Sequence, residues 1–334
     1  MSKVLVLGAC GAMGRYLVPY LVEKGLEVHA VDMNVPADSE NGARYIAGNA
    51  KDGVFLSQLF KENSYDAIVD FLVHPTYELP IHIPRFLDAT SQYLYVSSGR
   101  IYDDKEQPVK ETSPRLLDSS DDPYLLASDD YCIYKARGED LIHAIAPKKN
   151  WTILRPATTY SYMRYQLVTL EAHDTVGRAR LGKTAVLPEQ ARKKSATLSW
   201  GGDAAKMIAG LVLNEKALGE AYNINSAEHR TWEEIEAYYK DICNLKTLWV
   251  DKEDYIKIFQ PDPYIRGARW QLEYARLFER VVDNSKVLAH TGLKQEDMIP
   301  LYDGLKMEIS RCPADQKWNV NVRMDAYLQE RGLQ

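Results

Sequence analysis

A chain of 334 residues that is 46% hydrophobic can bury a large core, in one big domain or two modest ones. A net charge of −6 excludes an electropositive nucleic-acid surface, and no apolar run reaches the roughly 18 residues a membrane helix needs, so neither nucleic acid nor membrane is an expected partner. Cys10, Cys132, Cys243 and Cys312 are scattered without C-x-x-C pairing, and the histidines form no H-x-x-x-H or H-E-x-x-H pattern, so reduced thiols in a cytoplasmic protein and no metal site are expected.

Ser2–Leu7 is a short apolar run with β-branched members and reads as a buried strand, so close to Met1 that a signal peptide has no room. Gly8, Gly11 and Gly14 follow. Arg15–Lys24 then carries apolar residues at helical spacing and stops at Gly25, and Leu26–Val31 is a second strand with Asp32 at its end. Such a unit suits a dinucleotide: Gly8 permits a tight turn, Gly11 lets a pyrophosphate approach, Gly14 lets the helix pack closely, and the helix N-terminus faces the phosphates. Asp32 would accept from the adenosine ribose hydroxyls and repel a 2′-phosphate, which favours NAD over NADP. The spacing is G-x-x-G-x-x-G, so the complete unit with its acid carries the signal rather than the glycines alone.

Met33–Asn41 is a polar loop and Ala43–Ile46 a third strand. Asn49 falls where an adenine edge would lie, as donor and acceptor to it, or else as a plain turn residue capping the helix over Asp52–Asn63. Asp66–Val73 is a continuous apolar run suited to a central parallel strand. Pro75, Pro80 and Pro84 begin an irregular helix to about Ser91, and Gln92–Val96 is a strand ending in Ser97, Ser98, Gly99, Arg100, Ile101 and Tyr102. The acidic, Pro- and Ser-rich loop Asp103–Pro123 reads equally as a lid or as a solvated surface loop. Pro123 starts a helix running through Tyr131 and Lys135 to about Ile145, and those two residues, four apart, share a face. Y-x-x-x-K also occurs at Tyr20/Lys24 and Tyr302/Lys306, but only Tyr131/Lys135 follows a strand ending in Ser-Ser. Further on, Asp203–Asn214 and Ala221–Asn225 should return to the sheet as helix and strand, and Thr231–Cys243 is a capped amphipathic helix.

Taken in order, the glycine loop, Asp32, Val96-Ser97-Ser98 with Ile101-Tyr102, Tyr131-x-x-x-Lys135, Leu154-Arg155-Pro156, Trp200–Ala205 and Tyr222–Ser226 resemble the extended short-chain dehydrogenase/reductase family, which includes NAD-dependent nucleotide-sugar epimerases and dehydratases. The match covers roughly residues 1–245. It implies an α/β fold, a Rossmann-type doubly wound parallel sheet with a smaller mixed α/β substrate cap. Residues 1–156 plus about 198–228 would form the NAD-binding part, and 157–197 plus about 229–334 an interleaved cap. It implies a triad of Ser98, Tyr131 and Lys135. It implies that Gly8, Cys10, Gly11, Ala12, Met13, Gly14, Asp32, Asn49, Ala50, Phe71, Leu72, Tyr131, Lys135, Pro156 and Thr158 hold NAD, and that the protein is a homodimer.

The chemistry asks for these types. A tyrosine of ordinary pKa near 10 is a poor base at neutral pH, and a lysine one helical turn away stabilises its phenolate. Ser98 would hold the reacting oxygen. Gly99 and Arg100 stand where the family's 4,6-dehydratases have Asp-Glu, which argues against elimination. The linker before the Ser98 strand is short for the family and the gap from Ser98 to Tyr131 is long. For substrate, Arg100 suits an anion or a salt bridge to the acidic loop. Tyr160 lies in an aromatic stretch, and Arg192 suits a diphosphate or a solvated basic loop. Arg266 and Arg269 suit phosphates, or ordinary helix packing. The reading is an NAD-dependent enzyme acting on a nucleotide-linked sugar by hydride transfer at a hydroxyl carbon, first an epimerase that recycles its NAD. A nucleotide-sugar 4-dehydrogenase or ketoreductase comes next, then a non-catalytic dinucleotide-binding member.

Overall fold

The computed structural model describes residues 1–36, 42–262 and 264–333, so the expected Met33–Asn41 loop lies partly outside the described residues. The first half alternates strand and helix: β1 Lys3–Leu7, α1 Gly14–Glu23, β2 Glu27–Asp32, β3 Arg44–Ala47, α2 Gly53–Glu62, β4 Tyr65–Asp70, α3 Leu79–Asp88, β5 Thr90–Val96, α4 Leu116–Ser119, α5 Pro123–Ala127, α6 Tyr131–Ile145 and β6 Trp151–Pro156. Then come β7 Thr158–Tyr160, α7 Val176–Arg180, β8 Thr184–Pro188, β9 Ser195–Ala196, β10 Leu198–Trp200, α8 Gly201–Leu211, β11 Glu220–Ile224, β12 Arg230–Thr231, α9 Trp232–Cys243, β13 Lys246–Val250, α10 Lys252–Phe259, α11 Gly267–Gln271, α12 Ser285–Thr291, α13 Leu301–Ser310 and α14 Val322–Glu330.

Seven strands form one parallel sheet in the order β11-β6-β5-β4-β1-β2-β3. This is the Rossmann-like doubly wound arrangement, and its order reverses between β1 and β4, where ligands bind beyond the strand carboxyl ends. The five strands from β6 to β2 are buried along most of their length because both faces are covered, whereas the edge strand β3 is partly exposed. Val4, Val6, Val69, Leu94 and Ile224 pack under α1 and α8, while Leu5, Leu7, Ile68, Tyr93 and Ile153 pack against α2, α3 and α6. Each such aliphatic side chain, taken out of water, contributes about 1.5–3 kcal/mol.

Three local outcomes differ from the reading of the sequence. The strand expected over Asp66–Val73 stops at Asp70, because the Asp70 carboxylate accepts from the Leu72 N–H at 2.9 Å and turns the chain. The single helix expected from Pro123 is two. Asp130 adopts extended backbone and its carboxylate caps the Cys132 N–H at 3.1 Å, so α6 begins afresh with Tyr131 in its first turn. Finally, Ser285–Thr291 lies in the stretch read as cap, yet Val287 is buried with Val212 and Ile224 in the layer beneath the sheet.

The later segments build a second core. Tyr160, Tyr165, Trp232, Ile235, Tyr239 and Leu305 are among its fully or nearly fully buried members. The parallel β8–β13 pair and the antiparallel β9–β12 pair lie in these later segments.

Candidate active site

The glycine loop leaves β1 with Gly8 at φ +79°, a conformation L side chains rarely adopt. A Cβ at Gly14 would lie 2.6 Å from the Gly8 carbonyl and 2.7 Å from that of Ala9, so only glycine lets α1 close onto the loop. A Cβ at Gly201 of α8 would lie 2.4 Å from the Ala12 carbonyl, a second close approach that fixes the loop from the other side. No side chain caps the start of α1. Its first N–H groups therefore suit an anion. The Asp32 carboxylate accepts from the Cys10 and Asn34 N–H groups at 3.0 and 3.3 Å. A cradle open only because its glycines lack Cβ atoms, with a carboxylate at the β2 end, fits the dinucleotide.

One cavity of about 570 Å³ runs from this loop to the cap. It is lined by Gly8, Gly11, Ala12, Met13, Gly14, Asp32, Phe71, Ser98, Arg100, Tyr131, Lys135, Pro156 and Thr158 among the residues read from the sequence. Cys10, Asn49, Ala50 and Leu72 are not in its wall. Asn49 instead accepts from the Lys51 N–H at 3.0 Å, and Leu72 lends its carbonyl to Lys135. Tyr160 is fully buried in the cap core, Arg192 pairs with Glu233, Arg266 stacks over Tyr124, and Arg269 is held by Glu253 and Glu273. None of these four reaches the cavity wall.

Ser98, at the carboxyl end of β5, caps the following turn through the Arg100 N–H at 3.1 Å. Burial raises the Tyr131 pKa, and the nearby Ser98 hydroxyl with the Arg164 and Arg100 charges pulls it part of the way back. The Lys135 ammonium donates to the Val96 carbonyl at 2.7 Å and to that of Leu72 at 3.1 Å, and lies 5.9 Å from the Tyr131 ring centre. Burial lowers its pKa to about 8, against the opposing pull of Asp70 and Glu139. Asp70 is itself fully buried. Burial would raise it, but His74, bonded at 2.9 Å, and the Leu72 N–H outweigh that and hold it low, so a carboxylate lies within electrostatic reach of Lys135.

The cap side of the cavity was not read from the sequence. Arg164, Gln166, Glu171, Trp232, Arg276 and Arg280 line it. Arg276 donates to the Val168 carbonyl at 2.7 Å, and Arg280 donates to the carbonyls of Tyr102 and Asp103 at 2.7 and 3.0 Å. A π turn over Leu272–Arg276 follows α11 and rotates the later residues away from the Arg269 face. Counting at α-helical spacing from Arg269 therefore misplaces Arg276. The described residues also bring His74, Glu78 and His82 within 4.8 Å of one another, but Lys51 lies 2.6 Å from the Glu78 carboxylate and already neutralises it.

Residues 4–79 match the model of the NAD dependent epimerase/dehydratase family. A UDP-glucose 4-epimerase of Streptococcus mutans is 30% identical over 135 residues, which is 34% of this chain and 40% of that protein's length. The solved structure of dTDP-glucose 4,6-dehydratase from Bacillus anthracis with NAD superposes at a TM-score of 0.67. It is 17% identical and covers 93% of this chain and 96% of its own. UDP-glucose 4-epimerase from Thermus thermophilus with NAD superposes at 0.64, 17% identical, covering 92% and 98%. These likenesses show that the chain shares the fold of those structures over more than nine-tenths of its length.

Proposed function

We propose that this protein is an NAD-dependent enzyme that acts on a nucleotide-linked sugar at a hydroxyl-bearing carbon, as an epimerase that recycles its cofactor. The observation that carries the reading is that Ser98, Tyr131 and Lys135 together line a cavity continuous with the glycine loop. The loop and Asp32 would hold NAD, which supplies a hydride acceptor when bound. Tyr131 takes the sugar hydroxyl proton as hydride leaves the same carbon, and returns it when the hydride comes back to the opposite face. Lys135, mostly charged at neutral pH, stabilises the Tyr131 phenolate. Ser98 donates to the developing carbonyl oxygen. Arg100 in place of a carboxyl pair leaves no acid and base for elimination, which favours epimerisation. In the same reading the protein is a cytoplasmic homodimer, and exposed Tyr77 and Ile81 beside and within α3 suit that contact.

The test is native mass spectrometry followed by kinetics of Tyr131→Phe. The expected result is NAD bound to both proteins and a kcat lower by about 10²–10⁴-fold in the variant. A Tyr131→Phe protein that turns over normally would remove Tyr131 from the chemistry, and a protein that prefers NADPH would overturn the role given to Asp32.

A further inference from the structure

The cavity is unevenly charged. Lys135, Arg100, Arg164, Arg276 and Arg280 line it, against Asp32 at the loop end and Glu171 in the cap, among the described residues. Arg276 and Arg280 use carbonyl oxygens, not carboxylates, as their hydrogen-bond partners. Burial, with the charges of neighbouring arginines for Arg276, lowers the pKa of each to about 10, so both remain charged at neutral pH. A nucleoside diphosphate accounts for two such cations.

Two more remain, and they lie at the reacting end. Arg100 follows Ser98 in the same turn, and its guanidinium carbon is 5.8 Å from the Tyr131 ring centre. One nitrogen meets Asp130 at 2.9 Å, while its Nε is buried with no partner among the described residues. Arg164 lines the same cavity with no carboxylate partner among the described residues, close enough for its charge to act on Tyr131. Arg100 is largely buried, and a neutral hexose gives its guanidinium no charge to meet, which is costly; Arg164 is exposed and offers its charge to a ligand without that cost.

Resting on the reading above, we propose that Arg100 and Arg164 form a carboxylate subsite, so that the sugar presented to Tyr131 is a uronic acid. A carboxylate on the hexose ring meets the cavity-lining guanidiniums of Arg100 and Arg164, which orients the hydroxyl carbon toward Ser98 and Tyr131. The Arg100–Asp130 pair holds the first guanidinium in place, as a bidentate carboxylate contact needs.

The experiment is calorimetric binding to NAD-loaded protein of paired probes, the neutral hexose and its uronic acid, each carried on UDP, dTDP, GDP and ADP. The proposal expects, on whichever nucleotide binds, at least ten-fold tighter binding of the uronate, and a fall of at least ten-fold in that preference in both Arg100→Gln and Arg164→Gln. The Arg164 variant answers the question even where Arg100→Gln unfolds by freeing Asp130. Equal or tighter binding of the neutral sugar overturns the carboxylate subsite and leaves the nucleotide-sugar reading standing. Failure of every nucleotide sugar and every free nucleotide to bind overturns that reading, and the subsite with it.

Discussion

Lys135 lies between the carbonyls of Val96 and Leu72 and over the Tyr95 ring, 5.1 Å from its centre, so its charge is held where little water reaches. Its folded pKa of about 8 falls below the ordinary lysine value of about 10.4. Between those two values the unfolded chain binds a proton that the folded chain does not, so this residue makes stability rise with pH across that window. Lys135→Met should therefore flatten the pH dependence of the unfolding free energy from about pH 8 to 10 relative to the parent, read by urea unfolding at stepped pH. Parallel curves for the two proteins would refute it. Tyr131 and Lys135 were legible in the sequence because a four-residue spacing on a helix fixes a shared face before any tertiary contact forms. The place of Ser98 beside them came only from the family resemblance, since Ser98 and Tyr131 lie at the ends of two elements separated by a long loop.

At the scale of elements, the loop between β5 and α5 is anchored along its length rather than free. Its Val109 N–H donates to the Val281 carbonyl at 2.8 Å, and the Glu111 carboxylate accepts from the Asn223 N–H at 2.9 Å. Arg155 on β6 ties it to α6. Its guanidinium bonds the Glu139 carboxylate at 2.9 and 2.7 Å, the Tyr102 hydroxyl at 2.8 Å and the Glu111 carbonyl at 2.7 Å. Glu139 is fully buried. Glu139→Gln leaves Arg155 charged and uncompensated, and should cost about 3–5 kcal/mol in urea unfolding, with faster amide exchange across residues 103–123. A loss below about 1 kcal/mol would mean that water reaches the pair. The proline, serine and acidic composition that made this segment resemble a solvated loop says nothing of Arg155, which lies in an apolar strand and looked like part of a motif.

Across the whole molecule, Glu308 on α13 is fully buried and accepts from the Tyr16 hydroxyl of α1 at 2.6 Å and the Trp200 indole of β10 at 2.7 Å. This joint carries the cap onto the helix that closes the glycine loop. Glu308→Ala leaves two half-buried donors without their partner and should lower stability by about 1–3 kcal/mol, measured by chemical unfolding, and weaken NAD binding through α1. Unchanged unfolding and NAD affinity together would show that the two halves are coupled elsewhere. By itself the sequence determined the strand–helix alternation, the glycine loop with Asp32, and the Tyr131/Lys135 face, because each depends on periodicity, on the absence of a Cβ, or on neighbours within one element. Only the tertiary structure decided that α6 restarts at Tyr131, that Glu308 bridges cap and loop, and that Arg164, Arg276 and Arg280 face the cavity while Arg192, Arg266 and Arg269 do not. Arginines of equal charge separate into the two groups through the facing of the elements that bear them and the presence of a nearby carboxylate, and neither is a local property of the chain.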